Sequence, residues 1–341
     1  MLPLIPKIQV RGLTISPPLL LAPMAGLSHS ALRQIIHGFG GVGLLATEML
    51  PARKLPTQNP QFSPSLIRTD LEKPLSYQLL VAAPDQVAPA IEALHRLKAD
   101  AIDFNMGCPS SKVTRFGGGS ILMENLREVR RIIAVARKQT TLPLTAKIRL
   151  GPKLDQSKLK DFCAMLEDEG IDLLTVHARL SKEPFGRKPR WSWCARIKEW
   201  LTIPLVINGG IFCSRDGERC LRESRADGLM LGRGAVSKPW LFSEIARDLY
   251  GCKIPKKQVS LPAVYNNFIN LLVTQFPVDR RLGRLKDFTH YFAANFTFGH
   301  HLALSVQNSR SVEEAKEKAG LFFEKEAAKE TEARVLFQPC T

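Results

Sequence analysis

Eight short apolar runs, most of them far enough apart for a helix between, constrain this chain more than any other feature. They are Pro18–Ala22, Val42–Thr47, Leu75–Leu80, Ala101–Asn105, Leu144–Ile148, Leu173–His177, Leu205–Asn208 and Gly228–Leu231. Several lack strict alternation, which is the pattern of parallel strands covered on both faces. Amphipathic stretches lie between them, among them Pro84–Lys98, Leu126–Lys138 and Lys158–Glu169. Eight βα units closing on one another make a (β/α)8 TIM barrel of about 250 residues, with its chemistry at the C-terminal strand ends. An open doubly wound sheet is the alternative, but even spacing favours closure. The chain has 341 residues, so a barrel leaves room for one appendage. The expected organisation is a barrel over 1–250, a Pro- and Lys-rich linker over 251–262, and a small all-helical domain over 263–341. A helix is expected to start at Pro239 and run to Tyr250, with proline in its first turn.

Composition narrows the class of molecule. With 45% hydrophobic and 23% charged residues, the chain can bury a core and is not disordered or fibrous. No apolar run approaches the roughly 18 residues of a membrane span, and the N-terminus MLPLIPKIQVRG does not read as a secretory leader. The balance of 48 basic to 32 acidic residues, a net charge of +16, suits a polyanionic partner, nucleic acid before anionic membrane. The stretch 311–334 carries seven acids and five bases, so the positive charge lies on the barrel and the start of the helical domain. Seven cysteines without a C-x-x-C pair point to a reduced, cytoplasmic setting. Six of them (Cys163, Cys194, Cys213, Cys220, Cys252 and Cys340) are expected to be small buried hydrophobes. A monomer is expected.

The residues where each run stops face the barrel mouth. In order they are Ala22-Pro23-Met24-Ala25-Gly26, Thr47-Glu48-Met49, Gln78, Asn105-Met106-Gly107-Cys108-Pro109, Lys147-Ile148-Arg149, His177-Ala178-Arg179, Asn208-Gly209-Gly210 and Gly232-Arg233-Gly234. Loops after the last two strands are the usual phosphate site of such barrels. Asn208–Gly210 with Gly232 and Arg233 therefore reads as a phosphate cradle, although the same glycines also suit tight turns. Lys147 points inward from a buried strand, where an ammonium needs a negative neighbour. A flavin ring that becomes anionic on reduction would supply one, as would Glu48 or another barrel acid. Cys108, between Gly107 and Pro109 with the flexible Phe116–Gly119 loop behind it, is placed to act as a general acid, because a thiol stays largely protonated at neutral pH. Gly38–Gly43 spells G-x-G-x-x-G but precedes a strand, which is the wrong order for a dinucleotide fingerprint. No metal-ligand spacing and no G-x-S-x-G occur, so neither a metal centre nor a serine hydrolase is expected.

The motifs APMAG (22–26), TEM (47–49), DFNMGCPSSKV (103–113), GGGSIL (117–122), KIRLG (147–151), TVHAR (175–179), NGGI (208–211) and DGLMLGRGAVSKPWLF (227–242) together resemble the dihydrouridine synthase family. The resemblance runs from about residue 19 to 245 and continues more weakly beyond. It implies an FMN-dependent barrel, reduced by NADPH, that passes a hydride from flavin N5 to C6 of a uracil in folded RNA, with tRNA the first expectation, while a cysteine protonates C5. Carried over by motif, Cys108 is that acid and Asn105 lies beside the target base. Pro23, Met24, Ala25, Gln78, Lys147, His177, Asn208, Gly209, Gly210, Gly232 and Arg233 contact FMN, and Arg149 and Arg179 help to hold the uracil or its phosphate. Two basic clusters would meet RNA: Arg187, Lys188 and Arg190 beside Trp191 and Trp193, and Arg280, Arg281, Arg284 and Lys286 in the helical domain. The chain departs from the family pattern at Ala178 and Leu180, where it usually has Gly and Thr, at Gly210, where an acid usually stands, and at Asp287, which replaces a histidine. The alternatives are the same chemistry on rRNA, a flavin barrel acting on a free pyrimidine-like molecule, and an RNA-binding factor without catalysis.

Overall fold

The computed structural model describes residues 6–336, with side chains through residue 327; Cys340 lies outside the described residues. Two strands not expected from the sequence come first. β1 (Ile8–Val10) and β2 (Leu13–Ile15) pair antiparallel, and Arg11 and Gly12 between them have φ of 41° and 82°, the two-residue turn that matches strand twist. Ile8, Val10 and Ile15 pack into one cluster with Leu20, Leu44, Leu173, Val206 and Met230 of the barrel, so the hairpin closes the barrel's apolar end.

The barrel strands are β3 (Leu19–Leu21), β4 (Leu45–Pro51), β5 (Leu75–Leu80), β6 (Ala101–Met106), β7 (Leu144–Arg149), β8 (Leu173–His177), β9 (Leu205–Asn208) and β10 (Gly228–Leu231). All their pairings are parallel, in the order β3-β10-β9-β8-β7-β6-β5-β4. The two ends of that sheet meet through a parallel bridge between Leu20 and Leu44 and a 2.9 Å bond from the Leu21 N–H to the Leu44 carbonyl. The closed barrel expected from the spacing is present.

Around it lie α1 (Ser30–Phe39), α2 (Val87–Arg96), α3 (Ser111–Thr114), α4 (Leu126–Gln139), α5 (Gln156–Asp168), α6 (Trp191–Trp200), α7 (Ser214–Ser224), α8 (Arg233–Ser237) and α9 (Leu241–Tyr250). Helix α4 shows why these segments are helical. Asn125 caps it by accepting the Glu128 N–H at 3.1 Å, and Val129, Ile132, Ile133 and Ala136 form its buried stripe. Helix α9 starts at Leu241, two residues later than expected, and Pro239 precedes it. Cysteines 163, 194 and 220 are buried as expected and Cys252 is half-buried, but Cys213 is exposed at the N-cap of α7.

The chain divides into two compact units, residues 1–235 with 239–254, and residues 236–238 with 255–341. Described by itself, the second contains α10 (Leu261–Gln275), α11 (Val278–Phe292), α12 (Gly299–Gln307) and α13 (Val312–Leu336). Its core is aromatic: Phe268 stacks on Phe288 at 3.9 Å, and the buried Tyr265 hydroxyl meets Thr289 Oγ1 at 2.7 Å. The Glu314–Lys318 pair expected from helical spacing is 2.6 Å. Among the described residues no helix is long and apolar enough to cross a membrane.

Candidate active site

Parallel register places the chemistry on the inner wall. Gln78 lies opposite Asp103, Asp103 opposite Thr145, Asn105 opposite Lys147, Arg149 opposite His177, and His177 opposite Asn208. Strand side chains alternate between faces, so β6 sends Ile102, Phe104 and Met106 to the helices and Asp103 and Asn105 inward. Small barrels are usually filled by branched apolar side chains. A polar layer here is costly unless its members are bonded to one another or meet a ligand.

Much of that layer is bonded internally. Asp103 accepts from Gln78 Nε2 and Thr145 Oγ1, each at 2.5 Å, and Asn105 Nδ2 donates to Gln78 Oε1 at 2.7 Å. Asn105 Oδ1 accepts from the Cys108 N–H at 3.0 Å and the Gly107 N–H at 3.3 Å. The Cys108 carbonyl accepts the Ser120 N–H at 2.9 Å. Behind it Gly119 has φ +68°, and a Cβ there would lie 2.5 Å from the Cys108 oxygen. The glycine run expected to be a flexible loop is thus a close-packed support, and Cys108 is half-buried on a loop held from both sides.

The acid whose charge acts on Lys147 is Asp103. Glu48, the alternative by name, instead accepts the Gly26 N–H at 2.5 Å, where a bulge in β4 shifts the register between Ala46 and Met49. Loss of hydration is the largest influence on Lys147 and pulls its ammonium down to about 8; the Asp103 charge opposes this and Arg149 adds to it. Burial first, with the Lys147, Arg149, Arg179 and Arg233 charges after it, drives the His177 pKa far down. His177 is therefore neutral, with Nε2 3.0 Å from Arg179 Nη1.

The two arginines assigned to substrate are differently placed. Arg179 is buried and binds the loop after β8, through Nε to the Arg187 carbonyl at 2.8 Å and Nη2 to the Phe185 carbonyl at 3.0 Å. Arg149 reaches the Leu180 carbonyl with Nη1 at 2.9 Å, and its Nη2 has no hydrogen-bond partner among the described residues. Sequence reasoning missed Phe185, which is 52% exposed and packs against His177, Arg149 and Arg233 at 5.9, 5.7 and 4.6 Å. Nothing in a single sequence marks it, since its neighbours come from three strand ends. Asp103 was also missed as a site residue; its inward alternation with Asn105 was the available signal.

Gly209 and Gly210 have φ of +107° and +78°; Cβ atoms there would lie 2.5 Å from His177 and 2.8 Å from Pro189. Gly210 is therefore the residue this loop requires. Neither glycine N–H has an acceptor among the described residues, while the Gly209 carbonyl accepts Trp191 Nε1 at 3.0 Å. Asn208 Nδ2 donates to the Met230 carbonyl at 2.8 Å, and Gly232 packs by Met24. Pro23 and Met24 are half-buried and Ala25 is exposed. Among the described residues no group of His, Cys, Asp or Glu is arranged to hold a metal.

In the first basic cluster Arg187 and Lys188 are exposed along a 630 Å³ concavity with Trp193. Arg190 is paired with Glu183, with Nη2 at 2.7 Å from Oε1, and Trp191 is buried rather than a surface platform. In the second, Arg280 is exposed beside Asp279, Arg281 donates to the Phe276 carbonyl at 2.7 Å, Arg284 lies 4.8 Å over the Phe276 ring, and Lys286 is half-buried.

A closed parallel barrel with a cation-lined mouth and a thiol on a braced loop defines a (β/α)8-barrel enzyme. Within that class, the chain belongs to the dihydrouridine synthase family, whose model matches residues 20–337. It is 33% identical over 239 residues to "Probable tRNA-dihydrouridine synthase 1" of Synechocystis sp., covering 70% of this chain and 67% of the relative. It is 34% identical over 247 residues to "tRNA-dihydrouridine synthase B" of Xanthomonas axonopodis pv. citri, covering 71% and 72%. The DHODH of Eimeria tenella shares the fold, with a TM-score of 0.52 and 14% identity over 71% of this chain and 83% of that one.

Proposed function

We propose that this chain reduces a uridine of tRNA to 5,6-dihydrouridine, with FMN as its bound cofactor and NADPH as the electron donor. The observation that carries the reading is Cys108, a half-buried thiol on a loop held by Asn105 and Ser120 at the rim of the Lys147 layer. When bound, reduced FMN supplies the hydride taken up at uracil C6. The residues fit such a group. Gly209 and Gly210 leave N–H donors open where side chains would clash with His177 and Pro189, which suits a phosphate, with Arg233 near by. Pro23, Met24 and Ala25 supply the wall at the end of β3. The Lys147 ammonium favours an electron-rich ring, as preorganised charge does in a water-poor site.

Cys108 donates from Sγ the proton taken up at C5. Neutral His177 is available as a hydrogen-bonding group. Arg149, whose Nη2 has no hydrogen-bond partner among the described residues, is the residue suited to a uracil carbonyl, and Arg179 acts through the loop it holds. A stacked base must leave its helix to reach this depth, at a cost of a few kcal/mol. Phosphate contacts by Arg187, Lys188 and Arg280 offset it, consistent with the net charge of +16. Dihydrouridine mapping of tRNA and rRNA from cells with and without the gene tests the reading. At least one tRNA position is expected to lose the modification. No lost position, or turnover of free uridine without RNA, overturns it.

Lys147 also sets a pH dependence. It is protonated below about 8 and loses its charge as pH rises through that value. FMN binding to the apoprotein, followed by fluorescence quenching, is expected to weaken between pH 7 and 9.5. Lys147→Met should bind more weakly at pH 7 and show no such dependence. An unchanged pH profile in that variant would remove Lys147 from the cofactor site.

A further inference from the structure

We infer that Asp103 is a positioning residue: it is the terminal acceptor of a relay through Gln78 and Asn105 that holds the Cys108 backbone in place. The links are Gln78 Nε2 to Asp103 Oδ2 at 2.5 Å, Asn105 Nδ2 to Gln78 Oε1 at 2.7 Å, and the Cys108 N–H to Asn105 Oδ1 at 3.0 Å. Its direction is set from both ends. Backbone N–H groups can only donate, so Asn105 turns its oxygen to Gly107 and Cys108 and its amide nitrogen to Gln78. Gln78 must then accept with Oε1, which leaves Nε2 to donate. An ionised carboxylate can only accept, and Asp103 is what Nε2 meets. Thr145 Oγ1 fills the other carboxylate oxygen at 2.5 Å.

Asp103, Gln78 and Asn105 are all buried, so none can exchange its partner for bulk water, and an unmet donor there would be costly. Burial raises the Asp103 pKa, while the Thr145 and Gln78 bonds and the Lys147 charge oppose this. Asp103 and Asn105 occupy alternate positions of one strand, so the rigid backbone of β6 fixes both ends of the relay while Gln78 on β5 joins them. The relay belongs to the protein itself; its consequence for catalysis rests on the proton-donor reading of Cys108.

The test combines three variants of the full chain with amide hydrogen exchange at Gly107 and Cys108, and with RNA kinetics. Asp103→Leu removes the acceptor. Exchange at both amides should rise at least tenfold and kcat for uridine reduction should fall at least tenfold, with the RNA KM within twofold. Asp103→Asn keeps an oxygen for Gln78 and can turn its amide nitrogen to the Thr145 hydroxyl, so protection should survive although the charge is gone. Gln78→Leu breaks the relay at its middle while Asp103 stays, and should release the same amides even if Asp103→Leu does not fold. Unchanged exchange in Asp103→Leu or Gln78→Leu overturns the inference. Loss of protection in Asp103→Asn equal to that in Gln78→Leu overturns it in favour of a charge effect. Lost protection with an unchanged kcat removes the positioning role. Absence of RNA product from the unmodified chain would instead overturn the proposed function alone.

Discussion

Cys108→Ala is expected to lower the rate of dihydrouridine formation by about 10²–10⁴-fold, the range that a positioned general acid contributes. The bound FMN should stay, and its reduction by NADPH should proceed at close to the normal rate. The expectation follows from how the loop is held. Its two anchors are backbone groups, the Cys108 N–H on Asn105 and the Cys108 carbonyl on the Ser120 N–H, and neither uses the sulfur. Removing Sγ deletes the proton donor and leaves the support. Cys108→Ser keeps the shape but offers a much weaker acid, so it should be nearly as slow. Stopped-flow measurement of the two half-reactions separates the outcomes. Loss of FMN in Cys108→Ala would make the thiol a structural group, and an RNA rate within a few-fold of normal would move the proton to another donor.

Arg33→Met is expected to cost about 3–5 kcal/mol, the usual penalty for removing one member of a buried ion pair. Arg33 and Glu72 have side-chain exposures of 1% and 0%. Glu72 accepts from Arg33 Nε and Ser30 Oγ, both at 2.5 Å, and from the Thr69 N–H at 2.8 Å. Arg33 also donates to the Ser28 carbonyl at 2.6 Å and the Ile67 carbonyl at 2.8 Å. The pair therefore fastens the long β4–β5 connection to α1 and to the loop after β3. At roughly 2–4 °C per kcal/mol for a domain of this size, the melting temperature should fall by about 6–20 °C. Arg33→Met combined with Glu72→Leu should recover much of that loss, because no buried charge is then left unpaired. A single variant that melts within 2 °C of the parent chain would show that the carboxylate finds water or another donor.

The barrel was legible in the sequence because parallel strands buried on both faces must be short and apolar, and helical stretches must separate them. The β4 segment shows the limit of that reading. Val42–Thr47 is the apolar run, but the strand is Leu45–Pro51, since hydrogen bonding to β5 continues past a bulge that hydropathy does not register. The β1–β2 hairpin was missed because three-residue strands leave almost no period to detect. Cys213 was taken as buried on residue type alone, and a helix N-cap facing solvent overrode that.

The sequence by itself determined the fold class, the family resemblance, and the loop that carries the candidate acid, because these depend on local period and on residues adjacent in the chain. Only the tertiary structure decided which residues meet. It made Asp103 rather than Glu48 the acid whose charge acts on Lys147, turned Arg179 into a brace for the β8 loop, and set Phe185 against Arg233. It also set Pro189, on a different loop, in the space a side chain at position 210 would need. Such facts follow from strand register and from loops converging at one end of a closed barrel. No window along the chain contains them, since partners such as Asp103 and Thr145 lie 42 residues apart in sequence and become neighbours only when β6 pairs with β7.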